Sequence, residues 1–334
     1  MADEHQDVGT AYWVTMTVIL TLGVIVNIAA LWICFRPENR KKEITPLIAN
    51  IAVADLILIT CGHTSTHLRG AALQRNEPPC MWIAILNGIV GIVTIVTMAS
   101  INILLLRKMQ SVVMVNLPAC RMAALIACIW GYSISVMSTP LLGWGSFYPG
   151  KSSANCEPEW TSRGLGDISY NVTLLVTAFV FPMAVIIYTF YRIKRFSHCM
   201  YMTRLRNEIP TAFPQGRRRM YTTLSRMMVG VTVAFTLSWS PDAILSVISM
   251  VTGRPIIHVV PSLMAKSSVI YTPIVYIAFS RSFRSAVNAL YSLLTRTKVR
   301  PIVTKSPAVI YRVREAKIEY VSNPLTLLAH PSRD

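Results

Sequence analysis

Lys266 sits inside PSLMAKSSVIYTPIVYIAF, residues 261–279, a stretch otherwise apolar enough to lie in lipid. With the run beginning near Ile257, the lysine is ten residues in, roughly 15 Å along a helix and close to mid-bilayer. That is too deep for the side chain to reach water comfortably. Two chemistries suit such an amine. One is pairing with an acid such as Asp55, or with a polar cavity. The other is a reactive amine: loss of water disfavours the charged form, and a neutral amine is a nucleophile that condenses with an aldehyde. The cost of burying a charge favours the second. Other residues at comparable depth are Asn27 after GVIV and Asp55 in NIAVADL, where lipid exposure of a carboxylate costs a few kcal/mol. Phe235, Trp239 and Pro241 stand in FTLSWSP, and Thr272, Pro273 and Tyr276 in YTPIVY. A proline inside a helix removes one hydrogen bond and makes a hinge. Taken singly, these residues are more often packing than mechanism.

Positioning them requires helices of membrane length. Hydrophobic residues make up 53% of the 334 and charged residues 14%, and apolar runs of about 20 residues recur along the chain. Seven are read: Ala11 to Phe35, Thr45 to Leu68, Cys80 to Leu106, Arg121 to Gly143, Ile168 to Tyr191, Tyr221 to Val251 and Ile257 to Phe279. A membrane barrel needs short segments of alternating polarity, which are absent. The fold class is therefore all-α, a seven-transmembrane helix bundle. SRSFRS, just after the seventh span, starts a short amphipathic helix on the membrane surface. The expected domains are an extracellular N-terminus over 1–10, the bundle over 11–279, the surface helix over 280–294 and a basic cytoplasmic tail over 295–334. The opening MADEHQD is acidic, so the first run is a true span rather than a signal peptide.

Lys and Arg collect in the first, third and fifth connections and in the tail. The positive-inside bias puts the N-terminus outside and the C-terminus in the cytoplasm of a multi-pass cell-membrane protein. The net charge of +17 is mostly this bias. It is scattered over loops that flank membrane rather than gathered in one patch, which argues against nucleic acid and for contact with membrane lipids. Cys34, Cys61, Cys120, Cys128 and Cys199 fall in spans or on the inner side. Cys80 and Cys156 face an oxidising compartment, where a disulfide would pin the second outer loop over the bundle, two free thiols being the alternative. No metal-ligand spacing or Gly-rich phosphate loop is present. NVT at Asn171 reads as a chance sequon at a membrane entry.

In order, and on seven spans, these landmarks resemble the rhodopsin-like G-protein-coupled receptors. AKSSVIYTPIVY is similar to the seventh helix of animal opsins, whose lysine lies seven residues before the proline, as Lys266 does before Pro273. TPLLGW at 139–144, followed by Cys156, resembles the end of the opsin fourth span and its plug loop. The resemblance covers about Asn27 to Arg284 and implies a divergent, non-visual opsin. It further implies a light-sensing receptor, not an enzyme, with 11-cis-retinal covalently bound to Lys266 as a Schiff base, and with Trp239, Phe235 and Gly91 in the pocket. Asn27, Asp55, Pro241, Thr272, Pro273 and Tyr276 are implied as switch and hinge residues. A heterotrimeric G protein is the implied partner, and Ser and Thr in the basic tail permit a receptor kinase and arrestin.

The chain departs from the family in three features. The usual counterion positions hold Ile83 and Gly150. Asp242, three residues from Trp239 on one helix face, and Glu157, next to Cys156, are the substitutes. A structural role at the outer end of span six is an equal reading for Asp242. A third arrangement has no carboxylate partner and gives an ultraviolet-absorbing or chloride-dependent pigment. Second, Leu104, Leu105 and Leu106 occupy the places of the acid, arginine and tyrosine at the inner end of span three. Arg107 and Lys108 follow with no adjacent acid; one reading has either substitute for the arginine, and phosphate-level anchoring is the simpler role. Third, Thr272 replaces asparagine, its hydroxyl able to join a water network with Asp55 and Asn27. Two rival functions remain: a retinal photoisomerase or storage opsin without G-protein coupling, and a receptor for a diffusible ligand.

Overall fold

The computed structural model describes residues 2–40, 43–63, 78–110, 117–149, 156–205, 215–256, 259–279, 285, 288–289, 291–292, 311–314 and 317–320. The first span is one helix, Ala2–Cys34. It runs back through the segment expected to be a separate N-terminus, an acidic opening being well suited to a helix N-terminus. The second is Thr45–Ile57, continued by a π-helical stretch Leu58–His63. The third, Pro78–Gln110, touches the second, fourth, fifth and sixth spans. The fourth, Ala119–Met137, stops earlier than expected. Pro140 ends the α-helical pattern in a 3-10 turn, Thr139–Leu142, and Gly143 takes the left-handed conformation, φ 87°.

The fifth span runs Leu165–Leu175, a π-helical Val176–Val180, and Phe181–Leu205. The sixth, Gln215–Thr252, passes unbroken through Pro241. The seventh is two helices, Val259–Lys266 and Ser268–Phe279, meeting at Ser267. Among the described residues six helices are each long and apolar enough to cross a membrane. The seventh reaches that length only with its two pieces together.

Pro273 has no N–H for the carbonyl of Val269, four residues before it. Asn27 supplies the missing donor: its Nδ2 donates to Val269 O at 2.9 Å and to Gly23 O at 2.9 Å. Gly23 lets the three helices close, because a Cβ there would lie 2.8 Å from Ile59 Cδ1 and 3.0 Å from Val269 Cγ2. A second polar clasp joins spans two, three and four. Trp130 Nε1 donates to Asn50 Oδ1 at 2.9 Å, and Asn50 Nδ2 donates to Thr97 Oγ1 at 2.9 Å. Outside, Val14, Val18, Leu22, Ile25 and Ile28 form an exposed apolar stripe along the first span, a face suited to lipid rather than water.

The bundle lies within one compact unit, Met1–Leu290. Of the expected surface helix over 280–294, Ser285, Asn288, Ala289, Tyr291 and Ser292 are helical, and its remaining positions lie outside the described residues. A second unit, Tyr291–Asp334, contains an antiparallel pair, Tyr311–Arg314 against Lys317–Tyr320, where the sequence had suggested only a basic tail.

Candidate functional site

Lys266 is the last residue of the first half of span seven, and only 6% of it is exposed. At the break, Ser267 N donates to Leu263 O at 2.9 Å and Ile270 N to Ser267 O at 3.0 Å, so the helix restarts one tight turn beyond the amine. Nζ donates to Tyr12 Oη of the first span at 3.0 Å and lies 5.5 Å from the centroid of the same ring. Asp242 and Glu157 act on this amine through the field of their carboxylates. Tyr12 is thus the direct contact, and the two acids supply the electrostatic surroundings.

Deeper in the bundle, Phe235 and Trp239 stack at 5.7 Å with planes 20° apart, one helical turn from each other. Gly91 of span three faces them: a Cβ there would be 3.7 Å from Trp239 Cη2. Trp239 Nε1 is buried without a hydrogen-bond partner. The three residues expected to line a pocket are therefore neighbours.

Between spans four and five lies a hairpin of β1, Phe147–Pro149, and β2, Cys156–Pro158, paired Phe147 with Pro158, Tyr148 with Glu157 and Pro149 with Cys156. Cys80 and Cys156 form a disulfide, with Cα atoms 5.3 Å apart, which ties β2 to the outer end of span three. Phe147 is fully buried and meets Tyr170 edge-on at 6.4 Å. Tyr148 bonds its cross-strand partner Glu157. Burial first, and then the charges of Glu157 and Glu159, push its hydroxyl above the usual tyrosine range. Asn171 of the sequon is buried and donates to Glu159 O at 2.8 Å, so it serves the hairpin.

The remaining expected residues are spread along the bundle. Asp55 is buried beside Thr94, with Oδ2 unpartnered. Thr272 Oγ1 donates back to Ser268 O at 3.3 Å, satisfying its own helix. Pro273 is buried, and Tyr276 lies in the last helix.

At the end of the bundle away from the hairpin, Leu104, Leu105 and Leu106 join a large apolar cluster with Ile33, Leu47, Ile48 and Ile193. Lys108 has an acid partner, one distant in the sequence. Its ammonium pairs with Glu43, whose Oε1 also accepts from Leu117 N at 2.8 Å. Glu43 is 3% exposed and Lys108 20%. Sequence reasoning missed Tyr12, Glu43 and the Trp130–Asn50–Thr97 clasp. All depend on contacts between distant segments, 254 residues apart for Tyr12 and Lys266, and no local pattern signals them.

Three comparisons place this geometry among known proteins. Residues 26–276 match the family described as 7 transmembrane receptor (rhodopsin family). Opsin-VA of Rutilus rutilus is 26% identical over 287 residues, 81% of this chain and 71% of that protein. A G0-coupled rhodopsin of Mizuhopecten yessoensis is 24% identical over 302 residues, 88% of this chain and 75% of that protein. Squid rhodopsin has the same fold, with a TM-score of 0.76 at 19% identity, covering 89% of this chain and 92% of that one. Family match, relatives and bundle agree, and the chain belongs to the rhodopsin family of seven-transmembrane receptors, as a divergent animal opsin.

Proposed function

We propose that this opsin is a light-sensing receptor with 11-cis-retinal attached to Lys266 through a Schiff base. The observation that carries the reading is the buried Lys266 amine, set at a helix break against a phenol and within the field of two carboxylates. The residues fit an aldehyde chromophore. A primary amine is available for attachment, Phe235 and Trp239 offer an aromatic wall with Gly91 against it, and a disulfide ties the hairpin to span three. Bound there, retinal supplies light absorption and a change of shape. Lys266 holds it, Asp242 and Glu157 offset the positive charge of the linkage, and Trp239 transmits motion to the Pro241 segment of span six. The N-terminus lies outside and the C-terminus in the cytoplasm, with a heterotrimeric G protein as the partner there. Arrestin and a receptor kinase would act on the tail.

A second reading is a photoisomerase or storage opsin, favoured by the buried leucines where a G-protein-facing arginine is usual. Borohydride reduction of the retinal-loaded protein, followed by peptide mass analysis, tests attachment. A retinyl adduct on the Lys266 peptide supports both readings, and its absence leaves a receptor for a diffusible ligand. Light-driven nucleotide exchange on added G protein then separates them. Exchange supports the receptor. Release of 11-cis from all-trans retinal in light without exchange supports the photoisomerase.

A further inference from the structure

We infer that Tyr12 belongs to the retinal site, as the hydrogen-bond partner of the nitrogen that joins Lys266 to the chromophore. This rests on the reading that Lys266 carries retinal. As an ammonium, Nζ has three protons and spends one on Tyr12 Oη at 3.0 Å. In forming the linkage, the nitrogen bonds to the aldehyde carbon, and the aldehyde oxygen leaves as water with two nitrogen protons. One N–H remains and needs one acceptor. The acceptor already in line is a phenol oxygen, neutral and buried, with its ring face 5.5 Å from the same nitrogen. Oxygen and ring both favour a positive nitrogen.

The charged groups that bear on this nitrogen come from other elements, Asp242 from span six and Glu157 from the hairpin, and they act through the field. Tyr12 comes from span one, beside Trp13 in an edge-on contact at 5.2 Å. A chain with Ile83 and Gly150 at the familiar acid positions thus has a division of labour: two carboxylates for charge, and a phenol for the hydrogen bond.

The test compares wild type, Tyr12→Phe, Tyr12→Leu and Lys266→Ala, each loaded with 11-cis-retinal in detergent. Bound retinal is counted after acid denaturation, and the absorption spectrum is titrated between visible and ultraviolet forms. Tyr12→Phe, which keeps the ring, should bind as much retinal as wild type and move its transition to lower pH by about one unit, the scale of a hydrogen bond to a charged group. Tyr12→Leu should move it further. If the wild-type nitrogen is neutral throughout, the resonance Raman C=N stretch replaces the titration, and Tyr12→Phe should shift it. Wild-type pigment with Tyr12→Phe unchanged in both readouts would overturn the inference and leave the retinal reading standing. No Lys266-dependent pigment in wild type would overturn both.

Discussion

The two ends of the bundle hold their charges in opposite ways. At the outer end a buried lysine donates to a phenol and lies within the field of two acids. At the inner end a lysine, 20% exposed, is held by direct contact with a buried glutamate side chain, which also holds the next loop by a backbone N–H. The first arrangement leaves an amine free to react, and the second fixes three segments in place. Chemistry and restraint thus occupy separate ends. Leu104, Leu105 and Leu106 pack apolarly at that end, beside the clasp of Lys108 with Glu43.

Substitutions should separate the ends. Leu105→Arg puts a charge where Leu105 is 1% exposed within the apolar cluster. We expect it to cost about 4 kcal/mol, the scale of an unpaired buried charge. Thermal unfolding in detergent checks this, and an undiminished midpoint would mean that the inner end opens easily. Glu43→Gln should cost about 2 kcal/mol, between exposed and buried pairs. It should also speed amide exchange near Leu117 while leaving the outer hairpin unchanged; equal effects at both ends would erase the contrast.

Asn27→Ala lies between the ends and leaves Val269 O without its donor, an expected loss of about 1 kcal/mol. Smallest is an alkaline effect at the hairpin. Tyr148 is held protonated above the ordinary value of 10.0. Its contribution to stability is therefore complete below that pH and is lost as the unfolded chain ionises above it. Tyr148→Phe should flatten the loss of stability above pH 10, which alkaline unfolding curves would show.

The contrast also explains what the sequence disclosed. Lipid demands long apolar runs, so the seven spans were legible, and Cys80 and Cys156 stood out by their side of the membrane. Lys266 and Pro273 were legible because their spacing is local. Tyr12 and Glu43 were not, because each acquires its meaning from a partner on another span or loop. The break at Ser267 was hidden for a similar reason. The apolar pattern continues across it, and the orphaned carbonyl beyond it is satisfied by Asn27 of a different helix.

Both retinal-based readings require that Lys266 carry the chromophore. The most direct test is the absorption spectrum of purified protein incubated with 11-cis-retinal, recorded beside Lys266→Ala. A band shifted from free retinal, altered by light and missing in Lys266→Ala is the result predicted. Folded protein without such a band, or the same band in Lys266→Ala, would contradict it.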